Sequence, residues 1–147
     1  MNTTDTEPGR LQPPFSAATA RAHVRELLLT RAPDTLPVII DDVLLVVTEL
    51  ITNAHRHGGG LTAFDVCLTD DTITISVTDA SPDMPRALPH SRPLAPGGFG
   101  WPLIRRLSRH VVIMPAAPGK TIEAVIDTGA RTGPAEERRH RGPAGLH

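Results

Sequence analysis

The segment from Pro37 to His57 constrains this chain more than any other, because it is long, apolar over most of a helical circumference, and interrupted by polar residues that need a reason. At 100° per residue, Val43, Val47, Leu50 and Ala54 share one stripe, with Ile40 and Ile51 beside it. Leu45 leaves apolar surface on the far side as well. A helix of this kind is covered on more than one side. Asn53 falls between Val46 and Glu49 at the border of the stripe, where an unpaired amide would cost on the order of 1–3 kcal/mol. Glu49 and Asn53 are therefore expected to face something polar, and a ligand pocket is one candidate.

With 147 residues the chain is read as one domain with a single two-layer core. A formal net charge of −1 gives no electrostatic case for direct nucleic-acid binding or for an anionic membrane surface. Cys67 is the one cysteine, which excludes an intrachain disulfide and a cysteine-based metal cluster. No apolar run approaches the roughly 20 residues needed to span a bilayer. Residues Met1 to Pro14 lack the basic-then-apolar order of a secretory signal, so the expectation is a cytoplasmic protein.

Residues 1–15 read as a flexible lead, 16–127 as the folded domain and 128–147 as a disordered tail rich in Gly, Pro, Arg and Glu. Ser16 can cap a helix to about Arg31 whose one face holds Ala17, Ala20, Val24, Leu27 and Leu28. Asp34 or Thr35 can cap the second helix, with Pro37 in its first turn and Gly58-Gly59-Gly60 ending it. Thr62 to Leu68 and Thr72 to Thr78 alternate with period two around an Asp70-Asp71 turn, a hairpin that ends at Asp79. Between Ala80 and Gly98 the pattern vanishes into a proline-rich connection longer than the roughly 12–15 residues of an ordinary loop. A short helix from Trp101 to Ser108 follows, then strands His110 to Met114 and Thr121 to Asp127 around a Pro115–Lys120 turn. Two helices, a hairpin, a long loop, a short helix and a second hairpin indicate an α+β two-layer sandwich, its mainly antiparallel sheet covered on one face by helices.

Four polar features stand out along this order. Glu49 and Asn53 lie one helical turn apart, Asp79 closes a strand, Gly97-Gly98-Phe99-Gly100 opens a helix, and Thr121 begins a strand. Backbone N–H groups of a glycine-rich turn at a helix start make an anion site. An asparagine oxygen suits Mg²⁺, which takes a few protein oxygens alongside phosphates and waters. A carboxylate one turn before it can orient or deprotonate a nucleophile, and a strand-end Asp can accept from an exocyclic amine such as that of adenine. Taken singly, each is more often a solvated helix edge, a turn residue or an ordinary loop. Order and spacing together change that weighting.

In that order the chain resembles the GHKL ATPase superfamily, which includes histidine-kinase ATP domains, gyrase-type ATPases and anti-sigma-factor serine kinases. Its N box, E-L-x-x-N-A-x-x-H-G, is met at every specified position by Glu49-Leu50-Ile51-Thr52-Asn53-Ala54-His55-Arg56-His57-Gly58. Asp79 resembles the G1 acid, although Ser81-Pro82 stands where many members carry D-x-G-x-G, a variant similar to small actinobacterial anti-sigma-type proteins. Gly98-Phe99-Gly100 resembles the G2 box and Gly119-Lys120-Thr121 the closing G-x-T element.

The resemblance implies a Bergerat-type fold that binds ATP and Mg²⁺ under a lid running from Ser81 to Gly97. It assigns Asn53 to the metal, Asp79 to adenine, Gly98 and Gly100 to the phosphates, Thr121 to the adenine end, and Glu49 to the role of general base. It further implies a regulatory serine/threonine kinase acting on an antagonist protein, or sequestering a sigma factor, and is compatible with a homodimer. Two alternatives share this pocket: a nucleotide-dependent binding module without phosphotransfer, and a histidine-kinase catalytic piece acting in trans. Other motifs fail on geometry. Gly119-Lys120-Thr121 imitates the end of a Walker A loop, but Met114 replaces its first glycine and a strand follows. His55 and His57 point about 200° apart on a helix, which argues against a metal pair. His23 is read as a surface histidine and Cys67 as a small strand residue.

Overall fold

Ser16 caps the first helix as its sequence demands: its Oγ accepts from the Thr19 N–H at 3.1 Å, and α1 runs Ala17–Arg31. The computed structural model describes residues 9–83 and 100–129. Within these, α1 is followed by α2 (Pro37–His57), the hairpin β1 (Leu61–Leu68) and β2 (Thr72–Asp79), α3 (Gly100–Leu107), and the hairpin β3 (His110–Ala116) and β4 (Gly119–Asp127). The four strands form one sheet in the order β1-β2-β4-β3, and all three ladders are antiparallel. This is the α+β sandwich expected from the order of elements.

α2 packs against α1 on one side and α3 on the other, and it lies over β1, β2 and β4. Its stripe of Val43, Val47, Leu50 and Ala54 is buried, as are Ile40, Val46 and Ile51. Beneath it the inward residues of the sheet are Phe64 and Val66 from β1, Ile73, Ile75 and Val77 from β2, and Ile122, Ala124 and Ile126 from β4. Leu45, at 40% exposure, marks the side of α2 that its neighbours leave uncovered. α2 has the length of a membrane span, but it carries Asp41, Asp42, Glu49 and Arg56. Among the described residues no helix is long and apolar enough to cross a membrane.

Four local expectations need correction. The N-cap of α2 is Leu36 with no side-chain cap, because Thr35 turns back and donates its hydroxyl to the Ala32 carbonyl at 2.7 Å, at the end of α1. The lead is not free up to Pro14: Leu11 N–H bonds the Phe64 carbonyl and Val66 N–H bonds the Gly9 carbonyl, both at 3.1 Å, so residues 9–11 blunt the edge of β1. Thr128 belongs to the domain, since it is 1% exposed and its N–H reaches the Asp71 carbonyl at 2.9 Å. The second hairpin is tighter than expected, with Ala116 paired to Gly119 across a two-residue connection, which moves Lys120 from a turn into β4.

Leu50→Ala should destabilise the fold by about 2–5 kcal/mol, as truncation of a fully buried leucine does, whereas Leu36→Ala, at a 62% exposed site, should stay within about 0.5 kcal/mol. Urea denaturation of the two variants distinguishes the cases. Equal losses would contradict the placement of α2.

Candidate functional site

Helical spacing brings Glu49 and Asn53 onto one side of α2, where with Thr52, Arg56 and His57 they line a cleft closed by Gly100, the first residue of α3. Asn53 is half-buried, and its carboxamide makes no hydrogen bond among the described residues. Gly100 lies so close to the Glu49 carboxylate that a β-carbon there would collide with Oε1. Burial pushes the Glu49 carboxyl above its ordinary range, and the charge of Arg56 pulls it partly back. The cleft thus joins an acid that gains a proton more readily than usual, a hard neutral oxygen, a cation and a helix start. Wider clefts lie along the β1 edge, one lined by Leu27, Arg31, Asp65 and Cys67. Neither is met by a helix start, and we place the site by chemistry rather than size.

Asp79 packs at the C-terminal end of the same helix. Glu49 and Gly58 are nine residues apart, about 14 Å along the axis at 1.5 Å per residue, the scale of an extended nucleoside triphosphate. Asp79 is 2% exposed, and its side chain packs directly on Gly58, where a β-carbon would stand 2.5 Å from Oδ2. Gly119 crosses the backbone of Asp79 and Ala80 as closely, with room for no side chain. The Ala80 N–H reaches back to the Gly58 and Gly60 carbonyls at 2.9 and 3.1 Å. The G-G-G run after α2 therefore serves close approach to Asp79 as well as helix termination.

The carboxylate of Asp79 already has partners. Lys120 Nζ lies 3.0 Å from Oδ2 and 3.1 Å from Oδ1, and it also donates to the Ser81 carbonyl at 2.9 Å. The Ser81 N–H donates to Oδ1 at 3.0 Å. Lys120 faces Asp79 because the two are direct cross-strand partners, and it is 4% exposed.

Thr121 is placed elsewhere. One residue along β4 points to the opposite face of the sheet, and there Thr121 pairs its hydroxyl with Thr78 at 2.7 Å. Of the two neighbouring residues, Lys120 meets Asp79 and Thr121 does not. The inward alternation Ile122, Ala124, Ile126 contained that signal, since its extension backward puts position 120 inside. Gly98 and most of the expected lid lie outside the described residues, while Gly100 sits where a phosphate loop would meet Glu49.

A donor set of one amide oxygen, one carboxylate, one guanidinium and a helix start fits a metal-bound triphosphate, with Asn53 able to hold Mg²⁺ and Gly100 and Arg56 able to meet phosphates. Comparison with known proteins agrees: the model of the histidine kinase-like ATPase domain matches residues 12–140. No curated protein matches the chain.

The raised Glu49 carboxyl has a consequence for stability. Its folded-state value lies above the unfolded one, so its favourable contribution is complete below the ordinary glutamate value, about 4.3, and is lost as pH rises through the raised value. Glu49→Gln should therefore raise the thermal midpoint at pH 7, and the difference should close as the pH is taken below about 4. Melting curves at the two pH values test this, and an unchanged or lower midpoint at pH 7 would contradict the buried-acid account.

Proposed function

Because the chain belongs to the histidine kinase-like ATPase domain family, we propose that it is an ATP-binding regulatory protein whose activity is phosphoryl transfer from Mg²⁺-ATP to a serine or threonine of a protein partner. The observation that carries this reading is the cleft on α2, in which Glu49, Asn53 and Arg56 face the start of α3, with Asp79 packed on Gly58 at the C-terminal end of the same helix.

Asn53 would hold Mg²⁺ through its carboxamide oxygen, and the metal would supply neutralisation of phosphate charge. Backbone N–H groups at Gly100 and the Arg56 guanidinium receive the phosphate oxygens. Glu49, one turn before Asn53, accepts the proton of the attacking hydroxyl at its carboxylate. Partial burial suits it to that task, since a base works best with a proton affinity matched to the operating pH. Asp79 accepts from the amino group of the base. By resemblance to anti-sigma-factor kinases, the partner is an antagonist protein or a sigma factor, and the site of action is the cytoplasm. The chain's small net charge supports a protein partner over nucleic acid.

Isothermal titration should detect Mg²⁺-dependent ATP binding that weakens at least tenfold, about 1.4 kcal/mol, in Asn53→Ala. Unchanged affinity would remove Asn53 from the site. Transfer of labelled γ-phosphate to a co-purified partner should fall about 10²–10³-fold in Glu49→Ala while ATP affinity holds. A folded wild-type protein that binds ATP but labels no partner would leave a nucleotide-dependent binding module as the function.

A further inference from the structure

Lys120 is the sole lysine in a chain that carries fourteen arginines, and it is buried against Asp79 at the proposed base end of the pocket. We propose that Lys120 is a positioning residue of the nucleobase subsite: it holds the Asp79 carboxylate as a fixed anionic acceptor, and thereby selects a purine with a 6-amino group over one with a 6-oxo group. The inference rests on the nucleotide reading above and adds to it the residue that sets base preference.

Three observations carry it. First, Asp79 packs on Gly58 at the C-terminal end of α2, where the helix dipole is negative and a buried carboxylate needs a compensating cation. Among the groups that meet Asp79, namely Gly58 from α2, Gly119 and Lys120 from β4 and the backbone of Ser81, Lys120 carries the charge. Second, the ammonium donates to Asp79 Oδ1 and the Ser81 carbonyl and lies 3.0 Å from Asp79 Oδ2, so its charge is directed at the carboxylate and the Ser81 backbone. Third, Oδ1 also accepts from Ser81 N–H, which leaves the remaining acceptor capacity chiefly on Oδ2. A carboxylate held in this way presents acceptor oxygens, which pair with an amino group and repel a carbonyl. An ammonium cannot reverse its polarity as a hydroxyl can, so the preference is fixed by residue type. Without Lys120, the Asp79 carboxylate would be buried without its cation and would lose the contact that fixes its oxygens toward an amino group.

Calorimetric titration of wild type, Lys120→Met and Lys120→Arg with the Mg²⁺ complexes of ATP and inosine triphosphate tests this, with circular dichroism as the check on folding. Wild type should prefer ATP by at least about tenfold. Lys120→Met should lose about tenfold or more in ATP affinity and narrow the preference to within about threefold, while Lys120→Arg, which keeps the charge, should retain a preference. A folded Lys120→Met with wild-type affinity and preference would overturn the proposal, and so would a wild type that takes both triphosphates equally. Should Lys120→Met fail to fold, the wild type decides, because selective ¹⁵N-lysine labelling gives a single side-chain ammonium resonance. That resonance should persist when ATP is added, and its loss would mark Lys120 as a displaced plug and overturn the positioning role. Loss of ATP binding in Asn53→Ala with Lys120→Met unaffected sinks this inference alone. A folded wild type that binds neither triphosphate sinks the nucleotide reading and this inference with it.

Discussion

The end of α2, the end of β2 and the start of β4 meet at one buried carboxylate, and the local geometry follows from how Asp79 is accommodated there. A charge removed from water needs a partner of opposite sign and hydrogen bonds for its remaining lone pairs. Lys120 and the Ser81 N–H supply these. Close approach requires glycine on both flanks, since Gly58 borders the carboxyl and Gly119 crosses the backbone behind it. These contacts also fix the direction in which the chain leaves β2 at Ala80 and Ser81, the start of the connection that leads towards α3.

α2 joins the two ends of the site because one helix performs two tasks. Its apolar stripe is covered by the sheet, α1 and α3 and anchors the core, while one edge keeps Glu49, Asn53 and Arg56 facing a cleft. Rigidity of the stripe is what makes that edge useful. A side chain on a helix clamped on three sides holds its position relative to the start of α3 and to Asp79 more firmly than one on a loop. Gly100 shows how close this positioning is, since a β-carbon there would displace the Glu49 carboxylate. The same packing removes water from part of the Glu49 carboxylate and raises its proton affinity, so core packing and acid–base character have one cause.

Much of this could be read from residue order, and the exceptions have physical reasons. Helices declared themselves through the 3.6-residue stripe of α2 and the Ser16 cap of α1, and the first hairpin through strict alternation around Asp70-Asp71. Asp79 and Asn53 were legible as candidates because polar residues at the edges of apolar patterns demand partners. Thr35 was misread because a hydroxyl can serve either the helix ahead or the carbonyl behind, and burial against Ala32 decides which. Residues 9–11 looked like a free lead because pairing across more than fifty residues leaves no local trace.

The placement of Lys120 and Thr121 turns on a single residue of register, which decides which of the two meets Asp79. A strand's side chains alternate with period two, so a strand taken to begin at Thr121 carries no constraint on Lys120, whereas one that begins at Gly119 forces Lys120 inward and Thr121 outward. The tight connection between Ala116 and Gly119 makes that choice, since it extends the ladder by two residues on each strand. Turn length at one corner of the sheet thereby determines whether Asp79 meets an ammonium, which can only donate, or a hydroxyl, which can do both. In this fold a change in that turn would alter the chemistry around Asp79 without replacing any residue that touches it.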